Sequence, residues 1–129
     1  MVCLDTDILV GYLRGNPDAR RAFESFEFRN TSLCTTVVSA CELYEGARLM
    51  KDPVSASAGV SQLLTSLEIF GVTLSTAEEF GRWKAHLQRK GQNLEDFDVL
   101  IAAIALHHNQ ELVTRNVRHF NRIPSLRII

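Results

Sequence analysis

Acidic, hydroxyl and amide side chains gather at four separated places in the chain: Asp5-Thr6-Asp7, Glu42, the pair Asp96 and Asp98, and Thr114 with Asn116. Asp98 falls on the same helical face as Ile101, Ala102 and Ala105, and Glu42 on the same stripe as Val38 and Leu49, so both carboxylates are expected to face inward. Inward carboxylates repel one another unless a cation lies between them, because buried charges must be paired or coordinate a metal. Oxygen ligands without a soft Cys or His set select a hard ion, Mg²⁺ or Mn²⁺, which keeps waters and is completed by phosphates. Phosphodiester cleavage by activated water is the chemistry such an ion serves. Each acid also has a structural alternative. Glu42 can close a capping box with Ser39, Asp96 or Asp98 can cap a helix at its positive end, and Asp5 can be an ordinary turn acid.

The acids converge only if the right elements carry them. Met1 to Leu4 is a short apolar run that suits a buried parallel strand, followed by a short helix over Asp7 to Leu13. Asn16-Pro17 and Asp52-Pro53 each read as a helix cap followed by proline at the first helical position. Ser32 to Thr36 is a second strand, and Val38, Cys41, Glu42, Glu45 and Leu49 follow a helical period after it. A β-prone stretch, Glu68 to Leu74, precedes a capping-box pattern at Ser75 to Glu78, whose helix should stop at Gly91. Asp96 to His108 is apolar nearly all round, Glu111 to Thr114 is a strand, Val117 to Phe120 a helical turn, and Leu126 to Ile129 a last strand. Strands alternating with helices predict an α/β fold, and in such sheets ligands bind outside the carboxyl ends of the strands. The three acidic places and the Thr114–Asn116 pair all fall at that rim.

With 129 residues the chain is expected to be a single domain over 1–129. A hydrophobic fraction of 46% with 22% charged residues argues against disorder or a coiled coil. The longest apolar run, Val99 to Leu106, is far too short to cross a bilayer, and Asp5 interrupts any signal-peptide core, so a cytoplasmic protein without membrane contact is expected. Cys3, Cys34 and Cys41 lack metal-ligand spacing and read as small buried hydrophobes. The formal net charge of −1 does not announce a nucleic-acid binder. Its distribution does more: no acid follows Glu111, while Arg115, Arg118, Arg122 and Arg127 do, and Arg82, Lys84, Arg89 and Lys90 form a second basic group.

Four segments, in order, give the chain a resemblance to PIN-domain ribonucleases, specifically the VapC-type toxins of toxin-antitoxin operons. They are Leu4-Asp5-Thr6-Asp7-Ile8-Leu9, Ser39-Ala40-Cys41-Glu42-Leu43 with Gly46-Ala47, Phe97-Asp98-Val99-Leu100-Ile101-Ala102-Ala103, and Val113-Thr114-Arg115-Asn116 with Arg118 and Phe120. The resemblance spans nearly the whole chain and implies a three-layer α/β/α fold around a mainly parallel sheet. It implies that Asp5, Glu42 and Asp98 are the metal-binding and catalytic positions, with Asn116 where many family members carry a fourth acid. Thr6 and Thr114, and with them Asp7, are implied as supports of the site, and Asp96 stands beside the third position as in some members. Also implied are a Mg²⁺- or Mn²⁺-dependent endoribonuclease acting on tRNA or ribosomal RNA, a homodimer, a cognate VapB-type antitoxin, and DNA contact only through that antitoxin. An acidic pocket repels RNA, so nearby cations must capture it, and Arg115 and Arg118 flank Asn116.

Three other readings compete. Asp5-Thr6-Asp7 resembles the start of haloacid dehalogenase-type phosphohydrolases, although Leu9 stands where Thr or Val is wanted. His107, His108 and His119 could form a metal-free acid/base pair. A non-catalytic metal-binding module is the third. An antitoxin helix is expected on an apolar groove of the early helices, with Tyr12, Leu13, Phe23, Phe26 and Leu49 as anchors and an arginine directed at the acids.

Overall fold

The computed structural model describes residues 1–129. Four short strands, β1 (Val2–Leu4), β2 (Leu33–Thr36), β3 (Glu68–Phe70) and β4 (Glu111–Val113), form one parallel sheet in the order β3-β2-β1-β4. Seven helices surround it: α1 (Thr6–Leu13), α2 (Pro17–Phe28), α3 (Val37–Arg48), α4 (Pro53–Thr65), α5 (Leu74–Arg89), α6 (Asp96–His107) and α7 (Val117–Phe120). Side chains alternate across a strand, and the alternation divides the core in two. Cys3, Cys34 and Leu112 point to one side, where Leu87, Ile104 and Phe120 from α5, α6 and α7 cover them. Val2, Leu4 and Val113 point to the other, against Leu9, Phe23, Leu43 and Val60 from α1 to α4. The expected three-layer α/β/α arrangement follows directly.

Register then fixes the rim. Cys3 pairs with both Cys34 and Leu112, so β1, β2 and β4 end at a common level, and Asp5, Thr36 and Thr114 stand at or just beyond their carboxyl ends. The proline caps form as read: Asn16 Oδ1 accepts from the Ala19 amide at 3.1 Å and Asp52 Oδ1 from that of Ser55 at 3.3 Å. No helix is long and apolar enough to cross a membrane.

Several local expectations need correction. Helix α5 is boxed by Thr73 and Thr76, not by Ser75 and Glu78, because Thr76 is fully buried and its hydroxyl accepts from the Thr73 amide at 2.7 Å. Helix α3 begins directly at the end of β2, capped by Thr36, and this sets its phase: Ser39, Leu43 and Ala47 face inward, Leu49 is 81% exposed and Cys41 lies on the surface. Phe23 and Phe26 belong to the core. The last strand shrinks to one parallel bridge, Leu112 to Ile128, since Ile123 and Leu126 turn into the core beneath it.

Phe120 anchors the short α7 and is fully buried. Truncation to alanine leaves a cavity at the base of the segment that carries Asn116. Phe120→Ala should lower the unfolding free energy by about 3–5 kcal/mol, read from the urea midpoint at constant m-value.

Candidate active site

Asp5 follows β1 and caps α1, with its carboxylate only 5% exposed. One oxygen accepts from the Thr6 amide at 2.8 Å and the other from the Thr114 hydroxyl at 2.7 Å. That hydroxyl in turn accepts from the Asn116 amide at 2.9 Å, so the ends of β1 and β4 are tied through a single oxygen. Asp7, one residue into α1, accepts from the Arg115 amide at 2.9 Å on Oδ2. Its Oδ1 is buried and has no partner.

Glu42 arrives from α3. The Thr6 hydroxyl lies 2.7 Å from Glu42 Oε1 and 3.0 Å from Ser39 Oγ. A hydroxyl owns one proton and a carboxylate only accepts, so Thr6 donates to Glu42 and accepts from Ser39. Ser39 then accepts from the Thr36 hydroxyl at 3.3 Å, completing a one-way chain from the end of β2 to the carboxylate. Glu42 therefore joins no capping box with Ser39. Asp98 comes from the first turn of α6, where Glu95 is the cap residue and no side chain caps the helix.

These acids disturb one another. Burial raises the Asp5 carboxyl to about 7; the charges of Asp7 and Asp98 add to the rise, while hydrogen bonds from Thr114 and Thr6 oppose it. Asp98 is raised by burial and then by Glu42, against the lowering influence of His119. Asp5, Asp7, Glu42 and Asp98 line one shallow cleft with Thr6, Arg115 and Asn116, and Val10 is its only apolar wall. A hard divalent cation fits such a donor set, and the partnerless Asp7 oxygen marks the same need for positive charge. The acids do not close into a finished cage, and Glu42 is engaged by the Thr6 hydroxyl. That openness suits an ion held by one or two carboxylates, with waters and substrate phosphates completing its shell.

Asp96 is not in this cleft. Its carboxylate is 69% exposed and pairs with Lys84 at 2.9 Å, because the next helical position after Phe97, Asp98, takes the inward direction. Arg115 reaches the cleft, whereas Arg118 is exposed on α7 outside it. His107 and His108 end α6, the opposite terminus from Asp98, so no histidine pair forms at the acids. His119 does approach: its Nδ1 lies 2.8 Å from Asn116 Nδ2. Thr36 and the Ser39 hydroxyl chain were missed as site residues, and the only sequence signal for them was the hydroxyl run next to Glu42.

Comparison with known proteins bears on this geometry. The PIN domain family model matches residues 2–126. The tRNA(fMet)-specific endonuclease VapC of Salmonella typhimurium is 30% identical over 125 residues, covering 97% of this chain and 93% of that protein. Ribonuclease VapC2 of Haemophilus influenzae is 30% identical over 124 residues, 96% of this chain and 92% of that one. Among solved structures, the DNA-bound VapBC of Salmonella typhimurium superposes with a TM-score of 0.90 at 30% identity, covering 100% of this chain and 98% of that chain. VapBC2 of Rickettsia felis bound to a promoter DNA fragment gives a TM-score of 0.90 at 27% identity with the same coverage.

The raised Asp5 carboxyl has a measurable consequence for the metal-free protein. Its folded value of about 7 lies above the ordinary 3.8, so between these limits the folded state binds more protons than the unfolded one. This carboxyl's contribution to stability must fall as pH rises through that window, by on the order of 4 kcal/mol, and then level off. In EDTA, Asp5→Asn should flatten the profile and melt higher than wild type at pH 8. A wild-type profile that rises from pH 5 to 7.5, with Asp5→Asn superimposed on it, would contradict this account.

Proposed function

Because this chain belongs to the PIN domain family, we propose that its acidic rim is the centre of a divalent-metal-dependent endoribonuclease, the toxin member of a VapBC-type pair. The observation that carries the reading is the convergence of Asp5, Glu42 and Asp98, from β1, α3 and α6, on one cleft where burial and mutual repulsion raise Asp5 and Asp98. The relatives named as ribonucleases match over nearly their whole length. The domain is taken as the whole of 1–129, acting in the cytoplasm on tRNA or ribosomal RNA.

Asp5, Glu42 and Asp98 are the residues that would hold Mg²⁺ or Mn²⁺. When bound, that ion lowers the pKa of water and offsets the charge of the phosphate under attack. The protein's own groups do the positioning. Thr114 donates a hydrogen bond to Asp5, and the Thr36–Ser39–Thr6 chain ends in a hydrogen bond donated to Glu42, so both carboxylates are held in place. Asn116 lines the cleft beside Asp98 and takes the fourth position, with its side-chain nitrogen steadied against His119. Arg115 supplies the positive charge that offsets repulsion of an incoming phosphate, and Arg118 serves at most more distant phosphates.

The partner reading has its own surface. An apolar groove of about 320 Å³ runs between α1, α3 and α4, lined by Val10, Leu13, Leu43, Ala47, Met50 and Val60, and it abuts the acids through Val10 and Glu42. A helix of a VapB-type antitoxin lies there and sends a guanidinium to the carboxylates, which accept it as they accept a cation. Of the anchors expected from the sequence only Leu13 lines this groove. The active unit is a homodimer, and DNA is reached through the antitoxin.

Incubation of total RNA with the pure protein, with and without EDTA, tests the reading. Cleavage should require Mg²⁺ or Mn²⁺ and leave 5′-phosphate and 3′-hydroxyl ends. Asp5→Asn, Glu42→Gln and Asp98→Asn should each slow it at least about 100-fold while the fold survives. A 2′,3′-cyclic phosphate end, or full activity in EDTA, would refute metal-assisted hydrolysis; a trapped aspartyl-phosphate at Asp5 would favour the phosphohydrolase reading.

A further inference from the structure

We infer that Arg14, with Arg115, forms a phosphate-binding subsite in the notch between α1 and α2, holding the RNA backbone on one chosen flank of the acidic cleft. The inference rests on the ribonuclease reading above and adds to it the side on which the strand is gripped.

Helix α1 carries Asp7 in its first turn and Arg14 at its C-cap. Those positions are seven residues apart, which returns them to one face about 10 Å along the axis, with Val10 between them. The notch is lined by Asp7, Val10, Arg14, Gly15, Asn16 and Arg115. Asp7, Val10 and Arg115 also line the acidic cleft, so the two depressions are continuous. A strand whose scissile phosphate sits among the acids meets Arg14 a short step away.

The notch is built firmly. Gly15 takes a left-handed φ of 76°, which reverses the chain between α1 and α2, and the Asn16 amide closes the turn on the Gly11 carbonyl at 2.8 Å. Gly11 lets α1 and α2 approach closely, since a Cβ on it would stand 3.0 Å from the Ala19 methyl. Asn16 Oδ1 caps α2 and also accepts from the Arg115 guanidinium at 2.6 Å, fixing that group across the notch.

Charge decides the flank. The protein's ion pairs are Arg21 with Asp18, Arg82 with Glu79, and Lys84 with Asp96, so neither Arg14 nor Arg115 is held in an ion pair. On the opposite flank, a second cleft reached through Asp98 offers Lys84 and Arg122, yet Glu95 and Asp96 line it too. Lys84 there is already engaged by Asp96 and by the Leu94 carbonyl at 2.5 Å. Two unpaired guanidiniums against the single carboxylate of Asp7 make the α1–α2 notch the anion-seeking side.

The test is the salt dependence of cleavage of a short single-stranded RNA by wild type, Arg14→Gln, Arg14→Lys and, as a control of equal charge loss, Arg21→Gln. Arg14→Gln should raise KM several-fold at low salt with kcat held, and reduce the log–log salt slope of kcat/KM by about 0.7. Arg14→Lys should keep the slope, and Arg21→Gln should match wild type. If RNA is cleaved but Arg14→Gln shows the slope of Arg21→Gln, the subsite is wrong and the ribonuclease reading stands. A lower melting temperature with an unchanged slope would assign Arg14 to the end of α1, and an unchanged slope with weakened retention of a co-expressed antitoxin would assign it to the protein partner. If wild type cleaves no RNA, the ribonuclease reading falls and the subsite falls with it.

Discussion

Like charges gathered at one rim are the constraint around which the rest of this molecule is arranged. Four carboxylates face a common cleft, and one of them, Asp5, is held almost completely out of water. Left alone, such groups would rotate toward solvent or take up protons. What keeps them in place is a set of neutral donors rather than countercharges: the Thr114 hydroxyl and Thr6 amide on Asp5, the Thr6 hydroxyl on Glu42, and the Arg115 amide on Asp7. A lysine or arginine in the same role would have neutralised the pocket and ended its affinity for a cation. Hydroxyls and amides fix geometry while leaving the charge unspent.

The sheet serves that arrangement. Parallel strands that end level present their carboxyl ends together, and the register of β1 with β2 and β4 places Asp5, Thr36 and Thr114 within reach of one another. The two cores on either face then act as clamps: α5, α6 and α7 fix Asp98 and Asn116 from one side, and α1 and α3 fix Asp5, Asp7 and Glu42 from the other. The cleft is the seam where both layers meet. This explains why residues separated by more than 100 positions form a direct bond, as Thr114 does with Asp5.

Much of this was legible in the sequence because short-range signals carried it. The apolar run before Asp5, the Asn16-Pro17 and Asp52-Pro53 caps and the nearly all-apolar Asp96 to His108 helix each have a local cause. The misses share a different cause. The phase of α3 was set by the strand in front of it, so Cys41, Glu45 and Leu49 turn to solvent and Ser39 in toward the site. Asp96 and Asp98 lie two apart and looked equivalent along the chain; packing of α6 against α5 chose between them and left Asp96 to Lys84. Pairing across the fold also produced the Thr36–Ser39–Thr6 chain, for which no spacing rule exists.

Helix α1 is eight residues long, yet it carries an acid in its first turn, a wall of the apolar groove at its middle and a guanidinium at its cap. It is fastened at both ends, by Asp5 to β4 and by the Gly15 turn to α2. Occupants of the groove and of the cleft therefore address the same helix. Thermodynamic linkage makes the exchange reciprocal: whatever factor a helix in the groove imposes on the affinity of the cleft, a ligand in the cleft imposes on the helix. Under the proposed function, RNA in the cleft and an antitoxin helix in the groove are therefore reciprocal effectors of one another's binding.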